Sequence, residues 1–229
     1  MTLVLNSSEI KKCVQLNGQL IPIIEDAFKS LALGKTTMPP ILRLDIEKYH
    51  GESDVKAAYI DGLDSYAIKV ASGFFNNPNL GLPSSNGLMI LLDSKTGVLK
   101  SVLLDKGYLT DVRTAIAGAI AAKHLSNPES SNVGIIGAGI QAKMQLEALL
   151  LVRNIKTAYI WSRDSKKTNK FVQNIKDADF ILSNHYYQEK YYFSNKHPEY
   201  MELYLNKNFN LVYEIKSNNV RINSIYEKK

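Results

Sequence analysis

Residues 132–150, with the sequence NVGIIGAGIQAKMQLEALL, decide the fold predicted for this chain. Residues 133–136 form an apolar run typical of a buried strand, and apolar positions recur at helical spacing across residues 144–150. The hexapeptide GAGIQA at residues 137–142 separates the two and has the spacing G-x-G-x-x-A. The stretch therefore predicts a strand, a glycine turn and a helix in direct succession.

This succession is typical of a turn that binds the pyrophosphate of a dinucleotide. Gly137 permits the tight turn, Gly139 lets the backbone approach the anion, and Ala142 lets the helix pack closely on the strand. The free N–H groups at the helix N-terminus then face the phosphates. The alternative is an ordinary strand-to-helix connection that needs only small residues. The residues predicted to bind the cofactor here are Gly137, Ala138, Gly139, Ile140 and Gln141.

The choice of cofactor depends on the end of the next predicted strand, residues 157–161. In NAD-specific folds this position carries an acidic residue for the ribose hydroxyls. Here the small Ser162 is followed by Arg163, which favours the 2′-phosphate of NADP. Alternatively, Arg163 is a solvated surface residue and Asp164 serves the ribose of NAD. We therefore expect NADP or NAD, with Ser162 and Arg163 among the cofactor-binding residues.

The composition limits the class of protein. The chain has 229 residues, of which 45% are hydrophobic and 22% charged, as in a globular protein with a real core. The net charge of +6 is spread along the chain without a block of basic and aromatic residues, so we expect no nucleic-acid partner. No apolar run approaches the roughly 20 residues of a membrane helix. No membrane partner is predicted.

Cysteine and histidine usage argues against disulfides and metals. The single cysteine, Cys13, excludes an internal disulfide and a cysteine-rich metal site, and it fits a reducing, cytoplasmic compartment. The histidines have no ligand spacing. These are His50, His124, His185 and His197. We therefore predict no metal site.

The chain before the glycine turn predicts a separate α+β domain. An amphipathic helix is predicted at residues 20–33, and a second helix at residues 110–125, with Thr110 or Asp111 as its N-cap. Between them come predicted strands at residues 41–44, 55–60 and 66–71, and a hairpin of residues 87–92 and 98–104. The predicted fold class is thus α/β, with an N-terminal α+β domain followed by a Rossmann-like domain.

The C-terminal part has a different composition. No alanine follows Ala178 and no glycine follows Gly139, while eight of the 13 tyrosines lie in residues 184–229. Strand-like fragments occur at residues 203–205 and 211–215, without the strands, helices and turn glycines that would complete a doubly wound sheet. We expect an incomplete Rossmann-like domain. The predicted domains are residues 1–117, 118–182 and 183–229.

Several separated segments, in order, resemble the ornithine cyclodeaminase/mu-crystallin family over about residues 1–175. They are MPPILRLDI, YAIKVASGFFNNPNLGLPSSNGLMILLDSKTG, LLDKGYLTDVRTAIAGAIAAKHLS, VGIIGAGIQAKMQLEALLLV and YIWSRDSKK. Within the family, these segments are most similar to those of bacterial cyclodeaminases and imine reductases. The resemblance implies a homodimer with a substrate-binding and dimerisation domain and a Rossmann domain. The family's catalytic aspartate lies in a region with no counterpart here, so we assign that role to no residue.

Lys69 is the first candidate for the substrate site. It lies between Ile68 and Val70 in an apolar strand and shares a face with Ala67 and Ala71 rather than with an evident charged row. A charge on such a face is costly unless it is paired, which favours a substrate anion as its partner. The resemblance implies that Lys69 binds substrate and is a possible catalytic proton donor. The alternative is a lysine on an edge strand that faces water.

Two arginines complete the predicted substrate site. Arg113 is expected in the first turn of the second helix, where a bound carboxylate offsets the unfavourable position of a cation. The resemblance makes Arg113 a ligand of the substrate carboxylate and places Thr114 beside the cofactor. Arg43 resembles another substrate-binding arginine of the family. The alternatives are a snorkelling surface arginine at Arg113 and a solvent-facing strand arginine at Arg43.

Together these features predict a nicotinamide-dependent enzyme that acts on the Cα–N bond of a small amino or imino acid. The sequence leaves two outcomes open, cyclodeamination of ornithine to proline and ammonia, or reduction of an imino acid to an amino acid. The alternatives are a catalytically impaired, truncated member and a non-catalytic protein of the mu-crystallin type that binds NADP(H) or a small ligand.

Overall fold

A computed structural model describes residues 2–175, 181–184, 209–217 and 220–228. The chain divides into two compact units, Met1–Ile120 and Ala121–Lys229. The strands are β1 (Leu3–Asn6), β2 (Thr36–Thr37), β3 (Leu42–Ile46), β4 (Gly51–Ile60), β5 (Ser65–Phe74), β6 (Ser85–Asp93), β7 (Leu99–Leu104), β8 (Asn132–Ile136), β9 (Thr157–Trp161), β10 (Ile181–Asn184), β11 (Phe209–Ser217) and β12 (Val220–Lys228). The helices are α1 (Ser7–Cys13), α2 (Leu20–Ala32), α3 (Tyr108–Leu125), α4 (Ile140–Leu150) and α5 (Ser165–Ile175).

The N-terminal unit is built on one sheet of seven strands. The order is β1-β7-β6-β5-β4, and the outer edge of β4 is shared by β3 and β2. Neighbouring strands run antiparallel from β4 to β7, and β1 joins parallel to β7. All of the strands predicted in this region are confirmed, as is helix α2. The short β1 and α1, which the sequence analysis did not predict, precede them.

The register of this sheet separates its two faces. Lys69 of β5 lies opposite Lys56 of β4 and opposite Met89 of β6, and Arg43 of β3 lies opposite Asp54 of β4. Because alternate residues of a strand point to the same side, these charged residues share one face, which we call the charged face. The other side, the apolar face, carries two cross-strand rows of apolar residues. They are Leu42, Val55, Val70 and Leu88, and Ala57, Ile68, Ile90, Val102 and Val4, and Leu104 shares this side with Val102 by alternation along β7.

Helix α3 begins earlier than predicted. Its first residue is Tyr108, because Gly107 adopts a positive φ of 87° and turns the chain into the helix. The Asp105 Oδ2 atom accepts the Leu109 N–H at 2.7 Å. The N-caps predicted at Thr110 and Asp111 are therefore wrong, since the cap comes from the loop after β7.

The loop that starts α3 packs closely on the sheet at Gly87. A Cβ atom at Gly87 would lie 2.7 Å from the Val70 carbonyl oxygen and 3.7 Å from the Gly107 Cα. A side chain at this position would collide with the backbone of β5. The absence of a side chain at Gly87 of β6 thus lets the loop from Asp105 to Gly107, which follows β7, pack close to the charged face.

The C-terminal unit contains a parallel sheet of three strands in the order β10-β9-β8. Helix α4 connects β8 to β9 and helix α5 follows β9, as in the first half of a Rossmann fold. Its core is a cluster of buried residues, Leu146, Ala158, Ile160, Phe171 and Val172. The predicted strands β8 and β9 and helix α4 are confirmed, and the mixed α/β fold class is confirmed with them. Helix α5 and strand β10 were not predicted.

Strands β11 and β12 form a separate antiparallel sheet of two strands. The fragment predicted at residues 211–215 lies within β11, whereas the fragment predicted at 203–205 lies outside the described residues. Within the described ranges no helix combines the length and hydropathy needed to cross a membrane.

Candidate functional site

Lys69 lies at the centre of the charged face. Strand β5 is paired on one side with β4 and on the other with β6, so the interpretation of Lys69 as an edge-strand residue is wrong. The expectation that no charged row accompanies Lys69 is also wrong, because β4 supplies Lys56 directly opposite and Asp54 one position away along the face. The cross-strand register, which sequence periodicity does not give, creates this cluster.

The environment of Lys69 disfavours its charged form. Burial lowers the pKa of the half-buried ammonium, and the positive charges of Arg113 and Lys56 lower this pKa further. Asp105 and Asp54 act in the opposite direction. A bound anion would relieve both the desolvation and the repulsion between like charges.

Arg113 approaches Lys69 from helix α3, as their electrostatic interaction shows. Because α3 begins at Tyr108, Arg113 lies in the second turn and not in the first, and the helix-dipole argument for an anion at this position is wrong. The side chain is exposed. The case for Arg113 as a carboxylate ligand therefore depends on its proximity to Lys69, which brings together two cations from separate elements.

Two carboxylates near these cations have an oxygen atom that lacks a donor. Asp54 Oδ2 accepts the Lys56 Nζ at 2.9 Å, but its buried Oδ1 accepts no hydrogen bond within the described part of the chain. Asp105 is 1% exposed, and its Oδ1 likewise has no donor among the described residues. The sequence analysis missed both acids and Lys56. The signal for the Asp54–Lys56 pair was their spacing of two in a strand, which puts both on one face.

Arg43 belongs to the charged face but has acidic partners of its own. Its Nη2 lies 2.9 Å from the Asp45 Oδ1 and 2.6 Å from the Glu52 Oε2, and its side chain is 50% exposed. Its Nη1 lies 3.9 Å from the Asp54 Oδ1, which links it to the cluster around Lys69. A substrate carboxylate would have to compete with Asp45 and Glu52 for this guanidinium.

In the C-terminal unit the glycine turn has a geometry that fits a phosphate group. Gly137 has a φ of 117°, which favours glycine, and its N–H donates to the Trp161 carbonyl at 2.7 Å. Gly139 is the N-cap of α4, and no side chain of the described residues caps this helix. A Cβ atom at Gly139 would meet no atom of the described part of the chain within 4 Å, so packing against that part does not require glycine there.

These features agree with the requirements of a dinucleotide pyrophosphate, which needs uncapped N–H groups and open space at the helix start. The backbone of Ala138, Ile140 and Gln141 belongs to the same turn and first helical turn. The apolar side chain of Ile140 is 64% exposed at this end of the helix. The predicted cofactor residues of the turn are therefore gathered at the carboxyl end of β8.

The second predicted cofactor loop follows β9 and is held by internal hydrogen bonds. The buried Ser162 hydroxyl lies 2.6 Å from the Thr168 Oγ1 and donates to the Asp164 carbonyl at 2.9 Å. Asp164 Oδ1 accepts the N–H groups of Lys166 and Lys167 and so caps α5. Arg163 is exposed. Of the predicted pair, Arg163 is the residue whose side chain is available to a ligand.

Thr114 lies in the N-terminal unit, one residue after Arg113. Its half-buried hydroxyl donates to the Thr110 carbonyl at 2.7 Å, one helical turn earlier. The predicted role of Thr114 beside the cofactor stays a prediction. Among the described residues no group of three or more His, Cys, Asp or Glu side chains is arranged to hold a metal ion.

Comparison with known proteins gives matches over most of this chain. An uncharacterized cyclodeaminase of Sinorhizobium fredii is 53% identical over 182 residues, which are 79% of this chain and 55% of the relative. The Δ1-pyrroline-2-carboxylate reductase of Thermococcus litoralis, solved with NADH and L-proline, has a TM-score of 0.77 and 31% identity, covering 82% of this chain and 58% of that one. An archaeal alanine dehydrogenase, solved as a dimer with NAD, has a TM-score of 0.74 and 34% identity, covering 80% and 56%.

The chain spans about half the length of the curated relatives it matches. The sequence model of the ornithine cyclodeaminase/mu-crystallin family matches residues 1–188, which include the whole charged face and both cofactor loops. This match extends over far more than half of the chain. The chain therefore belongs to the ornithine cyclodeaminase/mu-crystallin family.

Proposed function

We propose that this chain binds a small amino or imino acid on the charged face, binds NAD or NADP at the β8–α4 turn, and serves hydride transfer at the Cα–N bond. The observation that carries the proposal is the convergence of Lys69, Lys56 and Arg113 from three elements on one face of the sheet. Their charge exceeds that of the neighbouring Asp54 and Asp105. An α-carboxylate is the partner that this excess positive charge favours.

The residues of the charged face have distinct parts in the proposed reaction. Arg113 offers a planar fork of donors that suits a carboxylate, and Lys69 offers a point charge beside it. The lowered pKa of Lys69 makes its Nζ a better proton donor than an ordinary lysine, which suits protonation of the substrate nitrogen. A bound nicotinamide would supply or accept the hydride at the α carbon.

Two net reactions fit this arrangement, reduction of an imino acid and cyclodeamination of a diamino acid. Both pass through an imino acid and need the same carboxylate ligands. They differ in what attacks or protonates the imine. A protein that binds both ligands without turnover is the alternative from a different functional class.

Titration of the purified 229-residue chain tests the proposed substrate site, and a turnover assay then separates an enzyme from a binding protein. We expect Lys69→Met and Arg113→Met each to weaken the binding of L-proline by about 2–5 kcal/mol, because each removes one of two charges that a desolvated carboxylate contacts. NADPH and NADH affinity, followed by fluorescence, should change little. Oxidation of NADPH on addition of a cyclic imino acid then tests turnover, and binding without oxidation supports a binding protein.

The matched control is Lys100→Met. Lys100 is a half-exposed lysine of the same sheet that pairs with Asp93 at 3.6 Å, away from the charged cluster. This variant should bind L-proline as the unmodified chain does. Equal losses of cofactor and L-proline binding in the Lys69→Met protein would contradict the proposed site.

We also propose that the chain forms a homodimer through the apolar face. The residues of this face are half-buried or exposed in one copy, and Leu42, Leu104 and Val4 are 63%, 43% and 58% exposed. A contiguous apolar sheet face of this kind is typical of a protein interface. A second copy of the same sheet would bury it by face-to-face packing.

A further inference from the structure

Asp105 has one buried carboxylate oxygen that accepts no hydrogen bond from the described residues. The residue follows directly after β7 and is 1% exposed. Its Oδ2 accepts the Leu109 N–H at 2.7 Å, whereas its Oδ1 has no hydrogen-bond donor among the described residues. A buried carboxylate oxygen without a donor is costly, and helix capping needs only one of the two oxygens. The second oxygen therefore calls for a partner that the described residues do not supply.

The surroundings of Asp105 suggest what that partner is. Ala71 and Gly87 lie opposite each other on the charged face, in the row that contains Arg43 and Asp54. Met89 pairs with Leu103 in the neighbouring row, so the strand register leads from Gly87 towards Asp105. Ala71 and Gly87 are both small, and the loop from Asp105 to Gly107 packs over Gly87, so Asp105 is brought close to the row that contains Asp54.

The adjacent row supplies the charges for the other end of such a ligand. Lys56 and Lys69 lie one row away, and Lys69 interacts electrostatically with Asp105 as well as with Arg113. Asp105 follows β7, two strands away from Lys69 on β5, and the electrostatic interaction between the two shows that their charges are near each other. A molecule with a carboxylate next to an N–H donor offers one group to the cations and one to this acceptor.

We propose that Asp105 Oδ1 accepts a hydrogen bond from the nitrogen of the bound substrate and so selects amino and imino acids over oxygen analogues of the same shape. This inference rests on the proposed function, since it assigns a residue to the nitrogen of that substrate. An ionised carboxylate only accepts hydrogen bonds. An ether or carbonyl oxygen in place of the N–H would set two acceptors against each other and leave Asp105 unpaired, which is a strong basis for rejection.

The test compares two ligands that differ in one atom. L-proline and (S)-tetrahydrofuran-2-carboxylate share the ring and the carboxylate, but the second has an ether oxygen where proline has its nitrogen. Calorimetric titration of the 229-residue chain should show L-proline bound more tightly, by about tenfold or more. Asp105→Asn keeps an oxygen for the Leu109 N–H and turns an NH2 group towards the ligand. This variant should reduce the preference to near unity or reverse it.

Two further variants keep the test decisive. Asp105→Ser retains a residue that can cap α3 and should also lose the preference, so the result does not depend on one variant's folding. Asp54→Asn removes the charge at the other end of the row and should keep the preference. Thermal unfolding of each variant confirms that the comparison is between folded proteins.

Each outcome has a definite meaning. A preference that survives in Asp105→Asn, including the case in which both ligands bind more weakly by the same factor, would overturn the inference and assign Asp105 to Lys69 or to helix capping. Equal affinities in the unmodified chain, or an equal loss of preference in Asp54→Asn, would also overturn it. Failure of the unmodified chain to bind either ligand would instead overturn the proposed function.

Discussion

The fold places Lys69 in surroundings that destabilise its charged form. Lys56 lies directly opposite, Arg113 approaches from α3, and burial removes part of the ammonium's hydration. All three lower the pKa of Lys69, which means that the folded chain binds this proton less tightly than an unfolded chain does. In the proposed site, unpaired positive charges have to be present before the anion binds. The charge of Lys69 therefore lowers the stability of the free protein but favours binding of the anion.

We predict that Lys69→Met raises the free energy of unfolding although it weakens binding at the proposed substrate site. Since the pKa is lowered on folding, the charged lysine opposes folding at every pH below its folded pKa. With allowance for solvent screening of a half-buried group, the gain at neutral pH should be roughly 0.5–1 kcal/mol. Urea unfolding without ligand measures it.

The pH dependence of this gain checks its cause. As the pH rises from the folded pKa towards the ordinary lysine value of 10.5, the unmodified chain loses the penalty and the advantage of Lys69→Met should shrink. Lys100→Met, which removes an ion-paired surface lysine, should not show this pattern. A variant that is destabilised at neutral pH would show that the Lys69 charge is compensated in the folded chain.

At the residue scale, the sequence predicted which side chains of the candidate site come together better than it predicted their further partners. Lys69 and Arg113 were selected because a charge in an apolar strand or near a helix start needs a partner, and the structure brings these two together. Lys56 and Asp105 were missed because cross-strand register and the true start of α3 are tertiary features. The spacing of two between Asp54 and Lys56 indicates that they share a face but not that Lys69 lies opposite, and the local sequence contains no signal that specifies Asp105.

The loop between β9 and α5 shows how an element limits what one residue can do. Ser162 was expected to leave room for a 2′-phosphate, but its hydroxyl is bonded inside the loop to Thr168 and Asp164. A change of Ser162 to Asp would place a carboxylate in a buried position and disturb the loop as well as the cofactor. Arg163, which is exposed, is the appropriate residue for a test of cofactor choice.

We predict that Arg163→Ser weakens NADPH binding by about tenfold and leaves NADH binding nearly unchanged, because a guanidinium bonds a phosphate far better than a hydroxyl. Fluorescence titration with both cofactors measures the two affinities. Lys156→Ser is the control, since Lys156 is an exposed cation just before β9 and thus at the opposite end of that strand. If Arg163→Ser lowers both affinities equally, or neither, the preference for NADP is wrong.

The C-terminal end of α3 is held by a single arginine. Arg153 donates to the carbonyl groups of Ala122, Lys123 and Ser126 at 2.9, 2.8 and 3.1 Å, and to the Ser126 Oγ at 3.0 Å. These carbonyls lie in and just after the last turn, where the regular i→i−4 hydrogen bonds of the helix end, and the Ala122 carbonyl also accepts the Ser126 N–H at 3.0 Å. A positive charge there also complements the helix dipole.

We predict that Arg153→Met lowers the free energy of unfolding by about 1–3 kcal/mol, because it removes the guanidinium hydrogen bonds to the Ala122, Lys123 and Ser126 carbonyls. Arg153→Lys keeps the charge but not the fork of donors, so it should recover only part of the loss. Chemical denaturation measures both. A variant as stable as the unmodified chain would mean that water replaces the guanidinium at little cost.

For the whole molecule, the elements with a strong local period were predictable and those defined by pairing were not. The hairpin of β6 and β7 and the unit β8–α4–β9 follow from alternation, turn residues and the glycine spacing. Strand β10 has only four residues and joins the sheet by parallel pairing with β9, which no local signal specifies. The separation of the first sheet into a charged and an apolar face likewise required the register of six strands.

That separation gives the molecule two surfaces with different requirements. In the proposed function, the charged face binds a small anion and the apolar face packs against a second copy of the chain. Because both faces belong to the same strands, a partner that covers the apolar face would also hold the strands that carry Lys69, Lys56 and Asp54. Self-association through this face is therefore expected to stabilise the substrate site.

We predict that the chain is a dimer at micromolar concentration and that Leu42→Glu and Leu104→Glu each weaken the dimer by about tenfold or more, because each buries a charge in an apolar interface. Both side chains are exposed in a single copy, so folding of the monomer should be preserved. Sedimentation velocity over a concentration series measures the change. The control is Leu125→Glu, since Leu125 is 85% exposed at the end of α3 and outside the apolar face. A monomeric unmodified chain, or a dimer that tolerates both substitutions on the apolar face, would show that this face is not the interface.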